Sequence, residues 1–163
     1  MTAQALIARY RLDPHPEGGW YREVHRSSRL LSNLPGYSGE RPALTAIYFL
    51  LAAGEFSAFH RVRSEEAWVH LAGSPLEIIL LQHEPSRCTL CAPGGAGEPL
   101  VVVPGGVLQA ARTLGEWTLV SCLVAPGFDF ADFAIPSREE LEEVFPRHVE
   151  LVRRFSHSPL SER

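Results

Sequence analysis

Between Thr45 and Gly127 short apolar runs alternate with breaks at Gly and Pro: TAIYFLLAAG, SAFHRV, EAWVHLAGSP, LEIILLQHEP, CTLCAPGG, PLVVVPGG, LQAARTLG and WTLVSCLVAPG. Runs of this length closed by turn formers predict strands, and no gap between them is long enough for a crossover helix. The fold class is therefore all-β, an antiparallel sandwich or barrel running from about residue 19 to 135.

The period changes near the C-terminus. In IPSREELEEVFP, Ser137 reads as an N-cap, Glu140 closes a capping box, and Leu141, Val144 and Phe145 share one helical face. HVELVRRFS, with Val149, Val152 and Phe155 on one side, predicts a second short helix, and SPLSER a frayed end. A further short helix is expected over residues 2–9. No repeat, low-complexity tract or linker divides the chain, so residues 1–163 read as a single domain.

Composition narrows the function. With 45% hydrophobic and 21% charged residues in 163, the chain can bury a core without disulfides or metal. A net charge of −4 and a pI near 6.0, without a basic run, argue against nucleic acid as partner. The apolar stretch ALTAIYFLLAAG is shorter than the roughly 20 residues that span a bilayer, and MTAQALIARYRL has no signal-peptide core, so no membrane partner and a cytoplasmic location are expected. Three cysteines, an odd number, read as free thiols. Cys88 and Cys91 form a C-x-x-C, but with no second pair and no strand-to-helix context they read as small apolar strand residues.

Period-2 parity locates candidate chemistry. Phe56, Ala58, His60 and Val62 are expected on one face, with Ser57, Phe59 and Arg61 on the other. Glu66, Trp68 and His70 share a face of the next strand, and Gln109 shares one with Ala111. An interior mixing His60, Glu66, Gln109 and His70 with Trp68 suits a small polar ligand. Over Trp20–His25 parity leaves two sets open, of which Tyr21 and Glu23 are the chosen pocket residues, Arg22 reaching more naturally to solvent or a partner. In HPEGG, His15 and Glu17 read as turn residues satisfied by local backbone hydrogen bonds. Phe128, Phe130 and Phe133 read as core or dimer packing, Arg112 as a candidate for a ligand anion, and His83, His148 and His157 as surface residues.

Two motifs carry a resemblance. Gly54, His60, Val62, Glu66 and Gly73 follow the spacing of the first cupin motif, G-x5-H-x-H-x3-E-x6-G, except that Val62 stands where the second histidine belongs. VVVPGGVLQAART resembles the second motif, with Pro104 and Gly106 in its turn, Gln109 at the last histidine position and Thr113 at the asparagine. Together with LDPHPEGGWYREVHRS, TAIYFLL and VAPGFDFADF, the chain resembles one cupin family of unassigned function. The resemblance implies a double-stranded β-helix, or jelly-roll barrel, with short N- and C-terminal helices, usually a homodimer, related in structure to deoxysugar-nucleotide epimerases and seed storage proteins.

With two of four usual ligands replaced, no cofactor is expected. A divalent metal stays open as an alternative, held by His60, Glu66 and Gln109. Three functions follow. The first is a metal-independent isomerase or epimerase acting on a sugar-like or small acidic carbonyl substrate, with His60 taking a proton from carbon next to the carbonyl and a tyrosine or Glu66 returning one. The second is a binding or storage protein that uses the same pocket without turnover. The third is a metal-dependent cupin enzyme. Tyr21, Glu23, Trp68, His70, Gln109 and Arg112 are the candidate ligand contacts.

Overall fold

The computed structural model describes residues 1–157; the SPLSER segment lies outside the described residues. A first helix, α1 (Ala3–Tyr10), starts where Thr2 accepts a hydrogen bond from the Ala5 amide. The strands follow as β1 (Asp13–Pro14), β2 (Trp20–Arg26), β3 (Leu30–Leu31), β4 (Arg41–Pro42), β5 (Thr45–Ala52) and β6 (Ser57–Val62). They continue as β7 (Glu65–Gly73), β8 (Leu76–Leu81), β9 (Pro85–Leu90), β10 (Leu100–Val103), β11 (Leu108–Thr113), β12 (Trp117–Ala125) and β13 (Phe133–Ala134). Two helices close the chain, α2 (Arg138–Val144) and α3 (Val149–Arg154).

Two antiparallel sheets face each other. One is ordered β1-β2-β5-β12-β7-β10 and the other β13-β6-β11-β8-β9, with β3 and β4 in a separate ribbon. Between them lies the main core of Phe49, Leu51, Trp68, Ile78, Val120 and their neighbours, most of them in the runs that the hydrophobic pattern picked out. The capping box forms as expected: Ser137 accepts from the Glu140 amide while Glu140 accepts from the Ser137 amide. Leu141, Val152 and Phe155 then cover Phe59, Ile79 and Ala110 on the outer face of the smaller sheet. On the larger sheet, α1 covers only one part of the outer face, through Leu6 against Leu50 and Leu119.

Parity fails at one informative place. Gln109 pairs with His60 but Ala111 pairs with Ser57, so β6 carries an extra residue between the two. Across this bulge the strand turns over. Ser57 is fully buried and faces the interior with His60, whereas Phe56 packs outside against Phe155, reversing the expected sides of both residues. Further along, Phe59 in the outer cluster and solvent-exposed Arg61 keep the expected alternation.

Cys88, Cys91 and Cys122 are all free thiols, and Cys91 is buried. Among the described residues no helix is long and apolar enough to cross a membrane.

Candidate functional site

The sandwich opens at one end into a cavity of about 340 Å³ whose wall includes His15, Glu17, His60, Glu66, Tyr21 and Glu23. Its apolar surface comes from Phe49, Val62 and Val124 on the strands and from Phe128, Phe130 and Phe133 in the segment after β12.

The turn before β2 supplies the residue that sequence parity missed. Gly18 has φ +107, and a Cβ there would sit 2.2 Å from the Phe56 carbonyl oxygen, so only glycine permits this approach to β6. The Glu17 carbonyl accepts from the Ala58 amide at 2.8 Å and from His157 Nε2 at 3.0 Å. Pinned there, the Glu17 side chain does not serve the local turn. Its Oε1 accepts from Ser57 Oγ at 2.9 Å, and its Oε2 lies 3.3 Å from His60 Nε2. Local hydrogen bonds of the expected kind are made at His15: its amide donates to the Gly19 carbonyl at 2.9 Å, its carbonyl accepts from the Gly18 amide at 3.0 Å, and its Nδ1 accepts from the Glu17 amide at 3.3 Å.

Proton positions follow from the partners. The Ala58 carbonyl can only accept, so His60 Nδ1, 2.8 Å away, carries the hydrogen. Burial lowers the His60 pKa, although Glu66 and the Ala58 carbonyl pull it back up. A neutral imidazole then presents a lone pair at Nε2. Burial raises the Glu17 pKa to about 8 against the opposing Ser57 hydrogen bond, which leaves its carboxyl protonated at neutral pH and able to donate to that lone pair. His15 is neutral too, its pKa lowered to about 4 by burial and by His60.

Glu66 enters from β7. Burial and the nearby Glu17 raise its pKa to about 7, while His60, Gln109 and Cys122 act in the opposite direction. Gln109 Nε2 donates to Glu66 Oε2 at 2.5 Å, and Gln109 Oε1 accepts from the Trp68 indole N–H at 3.0 Å. Because the indole only donates, this relay fixes which way the amide faces: hydrogens toward Glu66, oxygen away.

Several expected contacts need correction. Trp68 is 1% exposed in the main core and Gln109 stands behind Glu66, so neither lines the cavity. His70 is also absent from the wall; two residues per 6.6 Å or so of strand carry it away from Glu66, and its Nε2 donates to the Ser74 carbonyl at 3.1 Å. Arg112 pairs with Glu77 at 2.7 Å rather than reaching the cavity. Phe128, Phe130 and Phe133, read as core or dimer packing, form the cavity wall. His157 is exposed yet pins the Glu17 carbonyl and stacks on Phe56. Tyr21 and Glu23 both border the cavity, as does Arg22.

The donor set does not fit a divalent ion at the position the sequence motifs suggest. The Gln109 oxygen is occupied by Trp68, Val62 offers only methyl groups, and His60 turns its free nitrogen to Glu17. Among the described residues, no three His, Cys, Asp or Glu side chains are grouped to hold a metal.

Two facing antiparallel sheets enclosing one polar cavity, with helices only at the ends, define a cupin-type barrel. The chain belongs to the cupin superfamily family DUF985, whose model matches residues 4–136. It is similar over 97% of its length to all of a Leishmania major protein described as hypothetical, at 32% identity and a TM-score of 0.89. A Shewanella oneidensis protein matches 98% of the chain over 99% of its own, at 34% identity and a TM-score of 0.87. Oxalate decarboxylase from Bacillus subtilis shares the fold at 16% identity and a TM-score of 0.57, over 90% of this chain and 37% of that one. No curated protein matches.

Proposed function

We propose that the cavity carries out metal-independent proton transfer on a small carbonyl compound, the chemistry of an isomerase or epimerase. The observation that carries this reading is Glu17, 3.3 Å from His60, together with Glu66 on the wall of one cavity, two carboxyls poised close to neutral pH. A general acid and a general base work best when their pKa values lie near the working pH.

In this reading the ionised Glu66 carboxylate takes the proton from carbon next to the carbonyl. Electron density moves to the carbonyl oxygen, which receives the Glu17 proton and becomes an enol. His60 holds the Glu17 carboxyl in place through Nε2, and Ser57 holds its other oxygen. Return of the Glu66 proton to the opposite face of the same carbon, once the enol has turned in the cavity, gives an epimer. In that branch Glu17 recovers its own proton as the carbonyl reforms. Return to the neighbouring, former carbonyl carbon gives an isomer, a hydroxyl on the first carbon losing its proton to Glu17 as the new carbonyl forms there. Glu17 thus takes the acid role, while His60 supports it rather than acting directly on carbon.

Incubation with small aldoses and ketoses in deuterated water tests this. The wild-type protein, dialysed against chelator, is expected to place deuterium on carbon next to the carbonyl, and Glu66→Gln to slow that uptake by about 10²–10⁴-fold. Binding of a sugar without any uptake would contradict the enzyme reading and favour a binding protein. We further propose that the chain forms a homodimer through the outer face of the larger sheet, where Leu71, Leu100 and Val102 are each close to half exposed.

A further inference from the structure

We propose that the cavity selects a small organic cation, so that the substrate under the proton-transfer reading, on which this inference rests, is a carbonyl compound bearing an ammonium group. Charge on the cavity wall is unbalanced. Four carboxyl residues border it, Asp13, Glu17, Glu23 and Glu66, of which Glu17 stays protonated, against two arginines, Arg22 and Arg26. Arg26 is already paired with one of these carboxyls. Arg26 meets Glu23 through two hydrogen bonds of 2.8 Å and reaches the Phe128 carbonyl at 3.2 Å. The guanidinium of Arg22 lies over the Tyr48 ring, 5.7 Å from its centroid.

Glu66, at 7% exposure, has the neutral Gln109 as its hydrogen-bond partner, while Glu17 stays protonated beside Ser57 and His60. A buried carboxylate is costly until a positive charge accompanies it. A cationic ligand supplies that charge. An anion would have to lose its water beside Glu66.

Aromatic geometry points the same way. Phe128, Phe130 and Phe133 stand edge to face around one another with centroids 5.0–5.9 Å apart, and Tyr21 and Phe49 extend the ring surface along the wall. Ring faces carry partial negative charge and attract ammonium groups, most strongly where water is scarce. Neither the carboxyls nor the rings depend on the other for this inference, and both favour the same ligand charge.

Choline tests recognition apart from turnover, with two probes of the same shape: the neutral alcohol in which carbon replaces the quaternary nitrogen, and the matching carboxylate. Calorimetric titration is expected to show choline binding at least ~10-fold more tightly than the neutral alcohol, with the carboxylate weakest. Glu66→Gln, which keeps the side-chain shape and removes the charge, is expected to reduce that preference several-fold, and Glu17→Gln, at a residue already neutral in the wild type, to leave it unchanged. Phe130→Leu, at a residue 56% exposed, is expected to weaken choline while leaving the alcohol unchanged. Equal or tighter binding of the alcohol or the carboxylate, or no binding of choline, overturns the proposal. Deuterium uptake reads the proton-transfer chemistry separately, so either idea can fail alone.

Discussion

Glu17 shows how one residue can join distant parts of the sequence. It lies in a turn rich in Pro and Gly, where local hydrogen bonds are the ordinary expectation, yet its partners Ser57 and His60 stand about 40 residues on, brought near by the close approach at Gly18. No period of 2 or 3.6 encodes such a contact, so it was not legible in the sequence. The inward pointing of His60 and Glu66 was, because strand parity carries it. The same burial makes Glu17 sensitive to pH. Its pKa rises from 4.5 to about 8, so between those values the folded state binds more protons than the unfolded one. The stability it contributes is complete below the lower value and is lost as pH rises through the upper one. Glu17→Gln, the isosteric neutral group, escapes this loss. Its unfolding free energy in denaturant is expected to lie close to wild type near pH 5 and to exceed it near pH 9, by roughly 4 kcal/mol. Parallel curves for the two proteins would contradict the burial argument.

At the scale of elements, the segment between β12 and β13 decides the shape of the cavity mouth. Asp129 accepts from the Ala131 amide at 2.8 Å and so starts the single 3₁₀ turn Phe130–Asp132. Asp132 anchors the turn, meeting Arg41 at 2.6 and 3.1 Å with both side chains under 5% exposed. The run PGFDFADF announced aromatic packing, but not which surface it would cover; that depends on an ion pair 91 residues apart in sequence. Removing one member of a buried pair strands the other. Asp132→Asn is therefore expected to cost about 3–5 kcal/mol in denaturant unfolding and to loosen Phe130 and Phe133 over the cavity. A loss below ~1 kcal/mol would show that the pair does not hold this segment. The terminal helices were more legible, since the capping box and the apolar face of α2 are local signals. Observed bounds of Ala3–Tyr10 for α1 shift the expected helix by one residue.

For the whole molecule, the two sheets were legible from the apolar runs, and the cavity between them only in part, because bulges in β2 and β6 change which side chains face inward. The outer face of the larger sheet bears on assembly. Where α1 does not cover it, Ala67, Val69 and Leu71 on β7 stand beside Leu100 and Val102 on β10, with Leu123 on the neighbouring strand β12. Several strands ~4.8 Å apart make a face of roughly 500 Å², somewhat more than half of the roughly 800 Å² that a dimer of ordinary size covers on each partner. Light scattering is expected to give twice the 18.0 kDa of one chain, and Leu100→Glu to shift it toward the monomer. A concentration-independent mass of one chain for the wild type would contradict the dimer. The most direct test of the account needs neither partner nor substrate: carboxyl carbon resonances of Glu17 and Glu66 followed by NMR across a pH titration of the metal-free protein. The account expects these two carboxyls to titrate near 8 and 7. Titration of both at the ordinary value of 4.5 would contradict it and remove the acid and base on which the proposed chemistry depends.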